Sequence, residues 1–469
     1  MDGVKVIGLE LTVTTYVSFP SLEILRFEDM LGWETWSTNN PLVAFPCLRE
    51  LYIKDCPKLI DVSVGKLPSL SVLQIYKCGD GVLRHLVQAA SSITKLEILS
   101  ILGLTYEVWK GVQDHLGAVE EVRIYRCNEI KYLWESKADA SKLLVNLKKL
   151  YVYNCSALVS LGEKEEGEDS SGSNFLSSLR VLDVWHCNNM KHCCCPNSIE
   201  ITRLSFPTTS AIEGGHKLKS LDISLCSKQM EMINTSMPML EYVYIYHWTN
   251  LKSIIQLSTS IHLTHLELYG CPSIESFPDY ELKNLSSLKF LLIEKCPSMD
   301  PSFPRGFWPP NLVSLAIGGL RKPISEWGHQ NFPTSLVELT LFGEDVRNFS
   351  ELSRLLPSSL TRLCIEEFDK LESLSMGLQH LISLQHLYIE KCPKIIYLPE
   401  TVLPSLLSLR IYECPNLKER CNGRRLIGLV EERKSVELDQ SRDTSMVEVG
   451  FSLHQNHLMK NMHQEYKKH

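Results

Sequence analysis

The chain has 469 residues, of which 44% are hydrophobic and 22% charged, an ordinary balance for a folded chain with a large core. A net charge of −7 and a pI near 6.1 argue against a general binder of nucleic acid or of anionic membranes. Sixteen cysteines in so long a chain are too dilute for the disulfide framework of a small secreted domain.

The opening residues, MDGVKVIGLELTV, lack the basic start, apolar stretch and small-residue cleavage site of a signal peptide. No run reaches the roughly 18 apolar residues of a membrane-spanning helix, so no membrane insertion is expected. These readings point to a cytoplasmic chain. Residues 1–18 read as the remnant of a preceding repeat.

From residue 19 the chain repeats itself. Leu48/Leu51/Ile53/Cys56 sets the frame L-x-x-L-x-I-x-x-C, usually continued as C-P-x-L. It recurs at Leu70/Leu73/Ile75/Cys78, Val119/Val122/Ile124/Cys127, Leu147/Leu150/Val152/Cys155 and Leu179/Leu182/Val184/Cys187. Further copies begin at Leu218, Leu263, Leu288, Leu384 and Leu406, and others with the cysteine replaced begin at Leu22, Ile93, Leu240, Leu312, Leu336 and Leu360. From Leu240 onward the starts are 22 to 25 residues apart, inside the 20–29 of a leucine-rich repeat. The L-x-I portion alternates with period two and so predicts a short strand with one buried face. One such strand is unstable alone; stacking the copies satisfies every edge and makes one continuous core.

The predicted fold is therefore α/β, a leucine-rich-repeat solenoid or horseshoe of about sixteen repeats over residues 19–421. It has a parallel strand ladder on the concave face and a mostly irregular or 3₁₀ convex side, rich in Pro, Ser and Asn. Ten cysteines fall at the position after the strand, where each behaves as a small buried hydrophobe rather than half of a disulfide. The acidic insert 162–173 reads as a surface loop. Near residue 200 the frame is damaged: Ile201/Leu204/Phe206 fits the apolar pattern, but the next copy starts too soon, as though part of a repeat were missing. Residues 422–469 carry no period and read as an irregular or disordered tail.

The chain contains no phosphate loop, dinucleotide turn, zinc-protease pair or nucleophile elbow, so no enzyme and no cofactor are expected. The cluster His186, Cys187, His192, Cys193, Cys194 and Cys195 could suggest a metal, but three consecutive cysteines cannot all face one ion. An aromatic row is the better candidate for binding. Tyr76, Tyr125, Tyr153, Trp185, Tyr246, Tyr269, Phe342 and Tyr412 each follow the last apolar strand residue, on the outward side of the ladder. Tyr52, Tyr151, Tyr244 and Tyr388 form a second row. Such rows offer rigid contact area to a protein partner, or stack on one another to stabilise the ladder.

The stretch Phe19-Pro-Ser-Leu-Glu-Ile-Leu-Arg-Phe-Glu-Asp-Met30 with Trp33-Glu-Thr-Trp36, the C-P-x-L-x-x-L-P phrases, HCCCPNSIE and Leu417-Lys-Glu-Arg-Cys421 resemble coiled-coil NB-ARC leucine-rich-repeat proteins of plants. That resemblance implies a cytosolic disease-resistance receptor acting in the defense response. Its repeats would sense a pathogen effector or guarded host protein, or contact a nucleotide-binding domain, and would not bind nucleic acid. The coiled coil and nucleotide-binding module do not occur in this sequence, which reads as a truncated or partial receptor. The alternative is a substrate adaptor of a ubiquitin ligase. That class favours C-x-x-I-[ST]-D after the strand, where this chain has C-P-x-L.

Overall fold

In the computed structural model the described residues are 4–7, 19–38, 45–162, 176–187, 189–190, 198–204, 217–224, 232–234, 238–255, 260–374, 376–398, 405–417 and 435–438. One parallel ladder runs through them. Its strands are β1 (Ile24–Glu28), β2 (Glu50–Lys54), β3 (Val72–Tyr76), β4 (Lys95–Leu99), β5 (Glu121–Tyr125) and β6 (Lys149–Tyr153). There follow β7 (Val181–Trp185), β8 (Ile201–Leu204), β9 (Ser220–Ser224), β10 (Tyr242–Tyr246), β11 (His265–Tyr269) and β12 (Phe290–Cys296). The last six are β13 (Ser314–Leu320), β14 (Glu338–Phe342), β15 (Arg362–Glu366), β16 (His386–Glu390), β17 (Ser408–Tyr412) and β18 (Ser435–Leu438).

Each strand pairs with its neighbours in constant register. Leu51 lies beside Leu73, Leu73 beside Leu96 and Leu96 beside Val122; farther on, Leu291, Leu315, Leu339 and Leu363 align in the same way. A residue at one frame position therefore always meets the same position in the next repeat. The inward leucines and isoleucines, such as Leu51, Leu73, Leu291 and Leu363, are fully buried in one continuous core. Ladder strands lie only about 4.8 Å apart, whereas return segments carrying helices need about 10 Å, so the ladder takes the inner, concave side.

Where the residues after a ladder strand are described, the chain leaves through the same turn. In fifteen repeats the residue after the outward end of the strand has a left-handed backbone, φ between 50° and 66°. Twelve of these are not glycine, among them Asp55, Lys77, Ser100, Asn154 and Lys391. Their N–H groups still serve the ladder: Asp55 donates to the Tyr76 carbonyl at 3.0 Å and Lys77 to that of Leu99 at 2.7 Å. The inversion sends the next side chain into the core, where Cys56, Cys78, Cys127, Cys155, Cys187, Cys271, Cys296, Cys392 and Cys414 are all buried as thiols rather than disulfides. Their thiols turn to backbone carbonyls, as in Cys392 Sγ to Glu390 O at 3.2 Å and across the repeat to Ile365 O at 3.8 Å. Cys226, the tenth, lies outside the described residues. Glu344 takes the cysteine position after β14 and accepts the Ile324 N–H at 3.0 Å, anchoring a 3₁₀ turn of the preceding repeat.

The return segments are mostly turns and short 3₁₀ pieces, as at Ile324–Glu326, Phe349–Glu351 and Ser353–Leu355. Three helices break this rule in the first half: α1 (Asp80–Ala89), α2 (Tyr106–Gln113) and α3 (Lys137–Leu143). In α1 the buried Val82, Leu83, Leu86 and Val87 form an apolar stripe at helical spacing. Thr105 and Ser136 cap α2 and α3 by accepting the Val108 and Asp139 N–H groups. At the N-terminal end Val6–Ile7 pairs with Thr35–Ser37, which pairs with Asp61–Ser63, and the buried Trp33 and Trp36 pack against Phe27.

Two expectations change. The frame Ile201/Leu204/Phe206 is not the one used: β8 places Thr202 beside Leu182 and Leu204 beside Val184, so the repeat reads Ile199/Thr202/Leu204. Ile199 and Thr202 are buried while Ile201 is 47% exposed. Register with the flanking strands overrides the apolar pattern of the segment, and the ladder runs from β7 through β8 to β9. The second concerns residues 422–469, where β18 adds to the ladder by pairing Leu409 with Val436 and Ile411 with Leu438.

Candidate functional site: the concave face of the ladder

Each ladder strand offers three outward positions, flanking and separating its two buried residues. In β2 these are Glu50, Tyr52 and Lys54. All eight residues of the predicted aromatic row occupy the third position, on one edge of the concave face. The register breaks the row into runs. Tyr125, Tyr153 and Trp185 are consecutive, and Tyr125 stacks on Tyr153 with ring centroids 5.1 Å apart. Tyr246 and Tyr269 are adjacent and meet edge to face at 6.4 Å. Tyr76, Phe342 and Tyr412 stand apart from these runs.

Exposure divides them further. Tyr76 is 7% exposed, its hydroxyl bonded to Glu97 at 2.6 Å. Phe342 is 5% exposed and packs with Leu292 and Ala316. It closes over Gly318, where a Cβ would fall 2.1 Å from the Phe342 carbonyl oxygen. These two residues present little surface to a partner. Tyr412 is 36% exposed, and Tyr125, Tyr153, Trp185, Tyr246 and Tyr269 are half-buried.

The structure adds residues that the aromatic row alone did not include. Tyr242, His265 and Phe290 form a stack along the first outward position of β10 to β12, with centroids 4.9 and 5.7 Å apart. Tyr242, Tyr244 and Tyr246 also stack along their own strand. The centre of the concave face, β10 to β12, is thus an aromatic sheet two residues wide or more. The signal was present in the alternation of Tyr-Val-Tyr-Ile-Tyr, but all three outward columns must be read together to see it.

Buried carboxylates sit within this patch. Glu267 is 3% exposed and accepts the Tyr246 hydroxyl. Burial pushes its carboxyl up to about 7, against the pull of that hydrogen bond. Burial likewise raises Glu294 to about 7, with Lys295, 3.2 Å away, opposing it. Lys295 also donates to the Tyr269 hydroxyl at 3.0 Å. Among the described residues no group of three or more His, Cys, Asp or Glu side chains could hold a metal ion. His192 and Cys193–Cys195 of the possible metal cluster lie outside them, as does nearly all of the acidic insert.

No family model matches the chain. An RPP13-like disease resistance protein of Arabidopsis thaliana is 31% identical over 179 residues, spanning 37% of this chain and 13% of that protein. The disease resistance protein RPS4B of the same plant is 26% identical over 258 residues, spanning 46% of this chain and 22% of its own length. The chain is a leucine-rich-repeat solenoid, similar over these spans to plant disease-resistance proteins. These matches span about an eighth to a fifth of the relatives' own length. Among solved structures, a leucine-rich-repeat protein of Leptospira interrogans aligns over 80% of this chain and 93% of its own, at 18% identity and a TM-score of 0.43. In the leucine-rich-repeat region no helix among the described residues is long and apolar enough to cross a membrane.

The ladder supplies this region with a rigid platform. A partner lying across the strands meets side chains fixed by register, repeat after repeat, so little ordering is needed on this side of the contact.

Proposed function

We propose that this leucine-rich-repeat region is the recognition module of a plant disease-resistance protein, with residues 19–421 as its solenoid. It acts in the cytoplasm by binding a protein across its concave face: a pathogen effector, a guarded host protein or the nucleotide-binding domain of a receptor. The observation that carries the reading is the aromatic sheet of β10 to β12, where three adjacent repeats present stacked rings on one wall. Aromatic side chains provide large contact area at small entropic cost and dominate the energetics of protein interfaces. Likeness to disease-resistance proteins supplies the biological class.

A photo-reactive residue in place of Tyr269, compared with one in place of the exposed Tyr280 on the convex helix Asp279–Leu282, tests the reading. The full chain is co-expressed in plant tissue with a candidate effector or a receptor's nucleotide-binding domain. Crosslinking from position 269 and not from 280 is expected. Crosslinking from 280 alone would overturn the assignment to the concave face.

A further inference from the structure

Charge is distributed unevenly over the outward positions of the ladder. In β1 to β6 they include Arg26, Lys54, Lys95, Arg123 and Lys149, and in β15 to β17 they include Arg362 and Arg410. Across the six strands from β9 to β14 these positions hold no lysine or arginine at all. They hold the carboxylates of Asp222, Glu267, Glu294 and Glu338 among Tyr242, Tyr244, Tyr246, His265, Tyr269 and Phe290.

The flanking repeats show what this chemistry accepts. At the middle outward position Arg26 lies over the Tyr52 ring at 4.5 Å, Arg123 over Tyr151 at 4.7 Å and Arg410 over Tyr388 at 5.7 Å. Each time the arginine comes from the same position of the adjoining strand. In the centre the corresponding column reads Asp222, Tyr244, Glu267: carboxylates stand where the other tyrosines have arginine beside them. Glu267 directs its bond to Tyr246, and among the described residues no lysine or arginine forms an ion pair with it. Glu338 is paired with Arg362 and Glu294 with Lys295, so Glu267 differs from both in having no cation paired with it among the described residues.

We propose that the central concave stretch, β9 to β14, receives a basic segment of the partner protein, with an arginine side chain laid on the half-buried Tyr242 and Tyr246 of β10, close to the Glu267 carboxylate that accepts the Tyr246 hydroxyl. The negative rings and carboxylates attract a cation twice over, through the quadrupole and through charge. A guanidinium suits the place better than an ammonium, since it is planar, weakly hydrated and able to stack while it hydrogen-bonds. A nucleic acid would meet carboxylates here and be repelled. The inference rests on the concave-face reading above and names the chemistry of what that face takes.

The test uses the full chain and fluorescein-labelled oligo-arginine, oligo-lysine and oligo-glutamate peptides, followed by anisotropy at near-physiological salt and at pH 8, where Glu267 is ionised. Oligo-arginine is expected to bind best and oligo-glutamate not at all. Glu267→Gln should weaken oligo-arginine binding about fivefold. Ser220→Arg, which supplies an internal arginine beside Tyr242 at a half-buried site, should weaken it as much. Ile261→Arg adds the same charge at an exposed position in the turn before β11 and should have less than half that effect. Equal losses for Ser220→Arg and Ile261→Arg, or no binding of oligo-arginine, would overturn the proposal. Crosslinking from position 269 would survive that outcome, so the two readings fail separately.

Discussion

Gly270 and His247 occupy the same left-handed turn in adjacent repeats, and a Cβ on Gly270 would fall 2.7 Å from His247 Nδ1. The left-handed turn favours glycine at φ +66° without demanding it, since His247 adopts the same turn; the neighbouring ring is what leaves no room for a side chain. Gly270→Ala is expected to lower stability by about 2 kcal/mol or more, read from urea midpoints. Ser100→Gly, at φ 51° in the equivalent turn, should change it by no more than about 1 kcal/mol, because relief of strain offsets lost chain stiffness. A similar loss from both substitutions would mean that the turn does not limit stability.

Buried and exposed leucines of the solenoid predict opposite sensitivities. Leu291 is fully buried between Leu266 and Leu315, and Leu291→Ala should cost about 2–5 kcal/mol through the cavity it leaves. Leu407, 46% exposed just before β17, should tolerate Ala within about 0.5 kcal/mol. Since each ladder strand pairs only with the strands on either side, hydrogen exchange should show the damage of Leu291→Ala concentrated in the repeats around β12. Uniform loss of protection along the solenoid would contradict a nearest-neighbour architecture.

Thiol reactivity follows burial. Desolvation raises the Cys127 thiol to about 11 and holds Cys296 and Cys364 above the ordinary range. Alkylation of the native protein near pH 8, followed by mass spectrometry, should label the exposed Cys47 quickly and Cys127, Cys271, Cys296 and Cys392 slowly. Rapid labelling of Cys271 or Cys296 in the folded chain would be incompatible with their place in the core. Cys193–Cys195, expected from sequence to label quickly, lie outside the described residues.

Glu267 makes stability depend on pH. Its carboxyl titrates near 7 in the fold against an ordinary 4.5, so the native state holds an extra proton between those values. This contribution is fully present below about pH 4 and is lost as pH rises through 7, on the order of 3 kcal/mol at most. Urea midpoints at pH 5 and pH 8 should fall with pH more steeply for the native chain than for Glu267→Gln. Identical slopes would place Glu267 in water.

The strands, their inward residues and the cysteine position could all be read from spacing, because these features are local and repeat. Leu315, Leu339 and Leu363 are identifiable as neighbours from the amino-acid sequence, since constant register follows from constant period. The binding wall was legible in part. The third outward position could be listed, but not the joint stack of Tyr242, His265 and Phe290, which come from three repeats and share no local pattern.

The amino-acid sequence by itself determined the solenoid, because a period of 22 to 25 residues with two buried strand positions has one stable solution, stacking. Tertiary structure decided what repetition leaves open. It set the frame at Thr202, where pairing with Leu182 outweighs the apolar pattern, and it extended the ladder to Ser435–Leu438. It also decided which aromatics remain available: Tyr76 turns down onto Glu97 and Phe342 onto Gly318, while Tyr269 and Tyr412 stay accessible. Exposure depends on what the adjoining repeats place alongside, and no single repeat contains that information.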